Sequence, residues 1–71
     1  MTEALCNKAY TLITKMLMSS ELIPGQKLSV QRIATACGIS RTPVREAIRR
    51  LTEEGLLYQK PSSGTYVATL D

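Results

Sequence analysis

The tripeptide Gly38-Ile39-Ser40 restricts what this chain can fold into more than any other feature. It separates two short segments that both read as amphipathic helices. On its N-terminal side Val30, Ile33, Ala34 and Cys37 recur at i, i+3, i+4 and i+7, with Ser29 as N-cap and Gly38 where a helix-ending left-handed residue belongs. On its C-terminal side a helix is expected over about 41–54. Ser40 stands at its N-cap, Pro43 lies in the tolerated first turn, and Gly55 follows the end. Ile39 is apolar inside the turn and is expected to plug the corner between the helices. The first of them, over 30–37, is too short to be stable alone in water, so packing against the rest of the chain is required.

The flanks supply that packing. A helix over about 3–19 carries Leu5, Ala9, Leu12, Ile13 and Met16 on one stripe, widened by Leu17 and Met18. Pro24-Gly25 breaks the chain, and Leu28 follows in a short extended stretch. After Gly55 the pattern turns β-like over 56–69. Leu56–Lys60 and Thr65–Thr69 flank the turn cluster Pro61-Ser62-Ser63-Gly64 and form an expected two-stranded antiparallel hairpin. The order is helix, helix, short turn, helix, hairpin. This makes a mainly α fold with a small β-hairpin, and 71 residues leave room for one such domain.

Several function classes drop out. Histidine is missing, which excludes Ser-His, Cys-His and His-ligated metal chemistry. Cys6 and Cys37 form no CxxC motif and read as two reduced thiols. The few carboxylates show no paired arrangement, so an enzyme is not expected, nor is a cofactor or a metal. No apolar run approaches the ~20 residues of a membrane span, and no secretory signal is seen near Met1. The expected location is cytoplasmic.

The charge is informative by position. The chain carries a net +3, and residues 27–60 alone carry +4, with all five arginines among them. A localised arginine excess is what a phosphate-binding surface looks like. On the third helix, at ~100° per residue, Arg45, Arg49 and Thr42 fall about 40°, 80° and 100° from Arg41. Val44, Ala47, Ile48 and Leu51 occupy a separate apolar arc roughly 100° wide. Three arginines on one face repel one another modestly, which an anion would relieve. An α-helix fits the major groove of B-DNA, and residues near its N-terminus can reach base edges. Arg41, Thr42 and Arg45 stand at that end, and the hydroxyls of Ser40 and Thr42 can donate to phosphate. Glu46 is expected to pair with Arg50 at i, i+4. Arg32 projects from the second helix, off its apolar stripe, as a phosphate contact. Lys60, Ser62, Ser63, Gly64 and Thr65 form a hairpin tip able to lie on a sugar-phosphate edge. Tyr58 and Tyr66 are expected to be packing residues of the hairpin.

The segments Pro24-Gly25-Gln26-Lys27-Leu28-Ser29, Ile33-Ala34, Gly38 through Leu51, Glu54-Gly55-Leu56-Leu57 and Gly64-Thr65-Tyr66-Val67 resemble the N-terminal winged helix-turn-helix domain of the GntR family of bacterial transcription regulators. The resemblance covers about Ala9 to Val67, and the Ser-Arg-Thr-Pro-Val-Arg-Glu-Ala block is its most specific part. It implies a winged helix-turn-helix over 1–71 that binds an operator in double-stranded DNA, as part of a repressor. The implied contacts are Arg32, Ser40, Arg41, Thr42, Arg45 and Gly64 with its neighbours Ser63 and Thr65, to which the arginine face adds Arg49 and the hairpin tip Lys60. Family members usually continue into a C-terminal domain that binds a small-molecule effector and makes a homodimer. Since this chain ends at Asp71, it is expected to be an excised DNA-binding domain without the effector-binding domain. The competing reading is a winged-helix module that binds protein. It would more often present an apolar patch where this chain presents Arg41, Arg45 and Arg49. RNA is disfavoured because the A-form major groove excludes a helix.

Overall fold

The computed structural model describes residues 2–68. Three helices, α1 (Thr2–Met18), α2 (Val30–Cys37) and α3 (Arg41–Glu53), pack with three strands, β1 (Lys27–Leu28), β2 (Leu57–Lys60) and β3 (Gly64–Val67). This is the winged helix-turn-helix that the resemblance implied, with the expected two-stranded hairpin extended to a three-stranded sheet by β1. Its order is β1-β3-β2, antiparallel throughout. The pairing of β1 is prolonged by Gly25 N–H to Val67 O (2.8 Å) and Val67 N–H to Gln26 O (2.9 Å). A two-residue strand has too little alternation to be read from sequence. It exists because β3 would otherwise leave an edge of backbone groups unpaired.

The helix-turn-helix follows its local signals closely. Ser29 Oγ accepts from Arg32 N–H at 3.3 Å, capping α2. Gly38 adopts φ 69° and ψ 34°, and Ile39 N–H then reaches back to Ala34 O at 3.0 Å. Ile39 is half-buried against the core, plugging the corner. Ser40 holds the N-cap position of α3 in extended geometry, yet its side chain makes no capping hydrogen bond. The C-cap of α3 is Glu54 and Leu56 lies outside β2, one residue inside the expected limits in each case. Thr69, the expected last residue of the hairpin, lies outside the described residues.

Val44, Ala47, Ile48 and Leu51 of α3 are buried and meet Ile13, Leu57, Ile33 and Leu28 in one core. Complete burial of a side chain such as Ile48 or Leu51 contributes about 1.5–3 kcal/mol. The stripe on α1 lies where expected at Ala9 and Ile13, with Leu12, Met16 and Leu17 partly buried against the core. Cys6, Ala9 and Ile13 are buried, whereas Leu5 is 40% and Met18 81% exposed. Packing of α1 against α2 and α3 decides this, because the sequence offers apolar residues on either side of the buried row. Cys6 and Cys37 are both buried free thiols. No helix among the described residues is long and apolar enough to cross a membrane.

Candidate nucleic-acid interface

With its apolar arc committed to the core, α3 turns Arg41, Thr42, Arg45, Glu46, Arg49 and Arg50 outward. These six are not equivalent. Arg49 stands between two carboxylates, 3.3 Å from Glu46 and 3.7 Å from Glu53. Glu46 therefore pairs with Arg49 and not with Arg50, correcting the expected i, i+4 pair. Arg50 is drawn away by α1. Its Nη1 donates to Asn7 Oδ1 at 3.0 Å, and its guanidinium lies 4.9 Å from the centroid of the Tyr10 ring. A cation over an aromatic face is favoured by the ring quadrupole, and the hydrogen bond fixes its direction. Tyr10 Oη donates to Glu54 Oε1 at 2.6 Å, and that bond, with Glu54's charge, holds the Tyr10 phenol above its ordinary pKa. Arg50 and Tyr10 thus clamp α1 to α3, and neither packing role had a signal in the local pattern.

Arg41 and Arg45 carry no ion pair among the described residues. The fold brings Arg45 to the wing. Arg45, Gln59, Lys60, Ser63, Gly64 and Thr65 border one open cleft of about 670 Å³, floored by Val30 and Ile48. Arg45 and wing residues fourteen or more positions later in the chain thereby converge on one concave, cationic surface. Ser40, Arg41 and Thr42 are exposed at the N-terminus of α3, where backbone N–H groups and the helix dipole add positive potential. Arg32 is exposed on α2, and it lines a separate groove with Lys27 and Ser29.

The wing tip is closed by Ser63 N–H to Lys60 O at 3.0 Å. Pro61 and Ser62, with φ 67° at Ser62, lie between them, as a type II turn requires. Lys60, Ser62, Ser63 and Gly64 are exposed there, but Thr65 is not. It is 8% exposed and pairs in register with Gln59 on one side and Leu28 on the other. The alternation of β3 turns its side chain inward, so Thr65 shapes the cleft rather than projecting from it. Tyr58 and Tyr66 are in register and stacked, ring centroids 5.7 Å apart, consistent with a packing role in the hairpin. Lys27, left out by sequence reasoning, lies at the wing turn because β1 pairs with β3. Its Cε would be 3.0 Å from a Cβ placed on Gly64.

Residues 5–67 match the family model described as "Bacterial regulatory proteins, gntR family". The chain belongs to the GntR family. It is 40% identical over 62 residues to an uncharacterized HTH-type transcriptional regulator in an unstable DNA locus of Streptomyces ambofaciens, covering 87% of this chain and 26% of that protein. It is 32% identical over 66 residues to the HTH-type transcriptional repressor RspR of Escherichia coli K12, covering 93% of this chain and 29% of that protein. The chain thus spans about a quarter of the length of these curated relatives. Among solved structures it resembles the AraR DBD in complex with operator ORR3, with a TM-score of 0.80 and 29% identity over 90% of this chain and 78% of that one. This GntR-family chain carries the helix-turn-helix of a family of bacterial regulatory proteins.

Proposed function

We propose that residues 1–71 of this GntR-family chain read a specific sequence in double-stranded DNA, as the operator-binding domain of a cytoplasmic repressor. The N-terminal half of α3 enters the major groove and the wing rests on the sugar-phosphate backbone or in the minor groove. The observation that carries this reading is the shared cleft between Arg45 and the wing tip. A duplex laid against α3 would meet the free arginines and the wing hydroxyls together. Operator binding by the AraR DBD and the repressor name of RspR support the same reading.

In this reading Arg41, Thr42 and Arg45 face base edges or the phosphates beside them. A guanidinium can engage guanine O6 and N7 together, a geometry that lysine cannot copy. Ser40 has a hydroxyl unspent on capping and donates it to a phosphate. Arg32 contacts the backbone from α2, and Lys60, Ser63 and Gly64 do so from the wing. Thr65 acts through the shape of the wing. Arg49 contributes least, since Glu46 and Glu53 already hold it. In the full-length regulator a further domain binds a small-molecule effector and forms a homodimer, which presents two such domains to two half-sites.

The test is selection of bound sequences from a randomised duplex pool, followed by titration of the selected duplex with wild type, Arg41→Ala and Arg45→Ala. The expected result is a short shared motif whose preference is lost in both variants. Salt-sensitive binding without any enriched motif would overturn sequence reading by this domain. Absence of binding at low salt would overturn DNA binding itself.

A further inference from the structure

We infer that Lys27 is a backbone-phosphate contact of the wing, and that Gly64 lacks a side chain in order to seat it; the inference rests on the DNA-reading role proposed above. Lys27 is in register with Tyr66, on the row that places Tyr66 opposite Tyr58. An extended lysine at that position would point straight out from the sheet. Instead it leans along the strand, diagonally toward Gly64. Its Cε and Nζ lie 3.0 and 3.7 Å from where a Cβ on Gly64 would stand. A Cβ at 3.0 Å would make the lysine end give way by a few tenths of an ångström. Gly64 also has φ 130°, a conformation that side chains disfavour, so two independent constraints coincide at this residue.

The result is an exposed ammonium group held at the wing turn by a strand that precedes the helix-turn-helix. On its other side Lys27 lines one groove with Ser29 and Arg32. Lys27 therefore bridges the wing to the α2 cation, and these two positive charges share a groove with one carboxylate, Glu21. Glu21 accepts from Ser19 Oγ at 3.2 Å and makes no ion pair with either cation among the described residues. Ammonium groups positioned in this way neutralise phosphates without reading bases.

The test uses the intact chain and a fluorescein-labelled duplex of random sequence, titrated over a range of salt concentrations. Lys27→Gln keeps a long side chain over Gly64 and removes the charge. The expected result is a slope of log K against log salt shallower by about 0.9, with an unchanged thermal midpoint and with the wild-type slope retained in Lys27→Arg. Gly64→Ala is expected to give a smaller shallowing, and adding Lys27→Gln to it is expected to bring the slope to that of Lys27→Gln alone. A wild-type slope in Lys27→Gln, while Arg45→Ala still loses preference for the selected duplex, would overturn the Lys27 contact alone. A wild-type slope in Gly64→Ala would overturn the seating role of Gly64 and leave the contact standing. A wild-type chain that binds no duplex would remove the DNA reading and this inference together.

Discussion

Arg50 points its guanidinium at the ring of Tyr10, 4.9 Å from the centroid, and so leaves the arginine face of α3 to serve the packing of α1. Of the four arginines on that helix, one is structural and one, Arg49, is held by carboxylates on its own helix. Arg41 and Arg45 remain free to meet an outside anion. The charge pattern along the helix looks uniform, but its partners divide it into roles.

Arg45→Ala is accordingly expected to lower affinity for a selected duplex by about 1–3 kcal/mol and to relax the preference for at least one base pair. Arg49→Ala should cost clearly less, since Glu46 and Glu53 already neutralise Arg49 and leave it little net charge to offer a phosphate. Anisotropy titrations of both variants on the same duplex make the comparison. Equal losses would mean that the Glu46–Arg49–Glu53 array opens on binding.

Arg32→Ala should weaken all duplexes alike. The slope of log K against log salt should become shallower by about 0.9 while the ranking of sequences stays as it was. The measurement is a salt titration on a selected and a scrambled duplex. A changed ranking would move Arg32 from backbone to base contact.

Tyr10 gives the domain a pH dependence on the alkaline side. Its hydrogen bond to Glu54 favours the protonated phenol and raises its pKa above the ordinary 10.0. A raised folded-state value means that this stabilisation is complete below pH 10 and is lost as the pH rises through the folded-state pKa. Tyr10→Phe should flatten the fall in urea midpoint above pH 10 and leave DNA binding at neutral pH intact. Unchanged alkaline sensitivity in Tyr10→Phe would assign it to other groups.

Gly38→Ala probes the turn itself. Nothing stands within 4 Å of an added Cβ, so the cost is conformational and arises from φ 69°. A loss of about 1–2 kcal/mol in stability is expected, measured by urea unfolding. A far larger loss would indicate that the α2–α3 turn has no room to relax.

Much of this domain was legible one helix at a time. Ser29, Gly38 and Gly55 announce the ends of helices through their own backbone and capping preferences, which act over a few residues and need no partner. The apolar arc Val44-Ala47-Ile48-Leu51 is equally local, since the helical period alone brings these residues to one face. The exposed cations at Arg32, Arg41 and Arg45 follow from the same geometry, as positions off the buried stripes. What the sequence by itself determined was therefore the element order, the turn and the arginine face.

Tertiary structure decided the rest, because those choices depend on contacts between residues far apart in the chain. The strand at Lys27-Leu28 exists only where β3 offers it an edge. Which apolar residues of α1 are buried was set by its packing against α2 and α3, which left Leu5 and Met18 exposed. Arg50 was diverted by Tyr10 and Asn7, forty or more residues earlier in the chain. Thr65 was turned inward by strand alternation, and Lys27 was carried to Gly64 by the register of β1 on β3. Spacing along a chain specifies which side chains share a face of one element. Which faces meet, and which charges are left free, is settled by packing between elements.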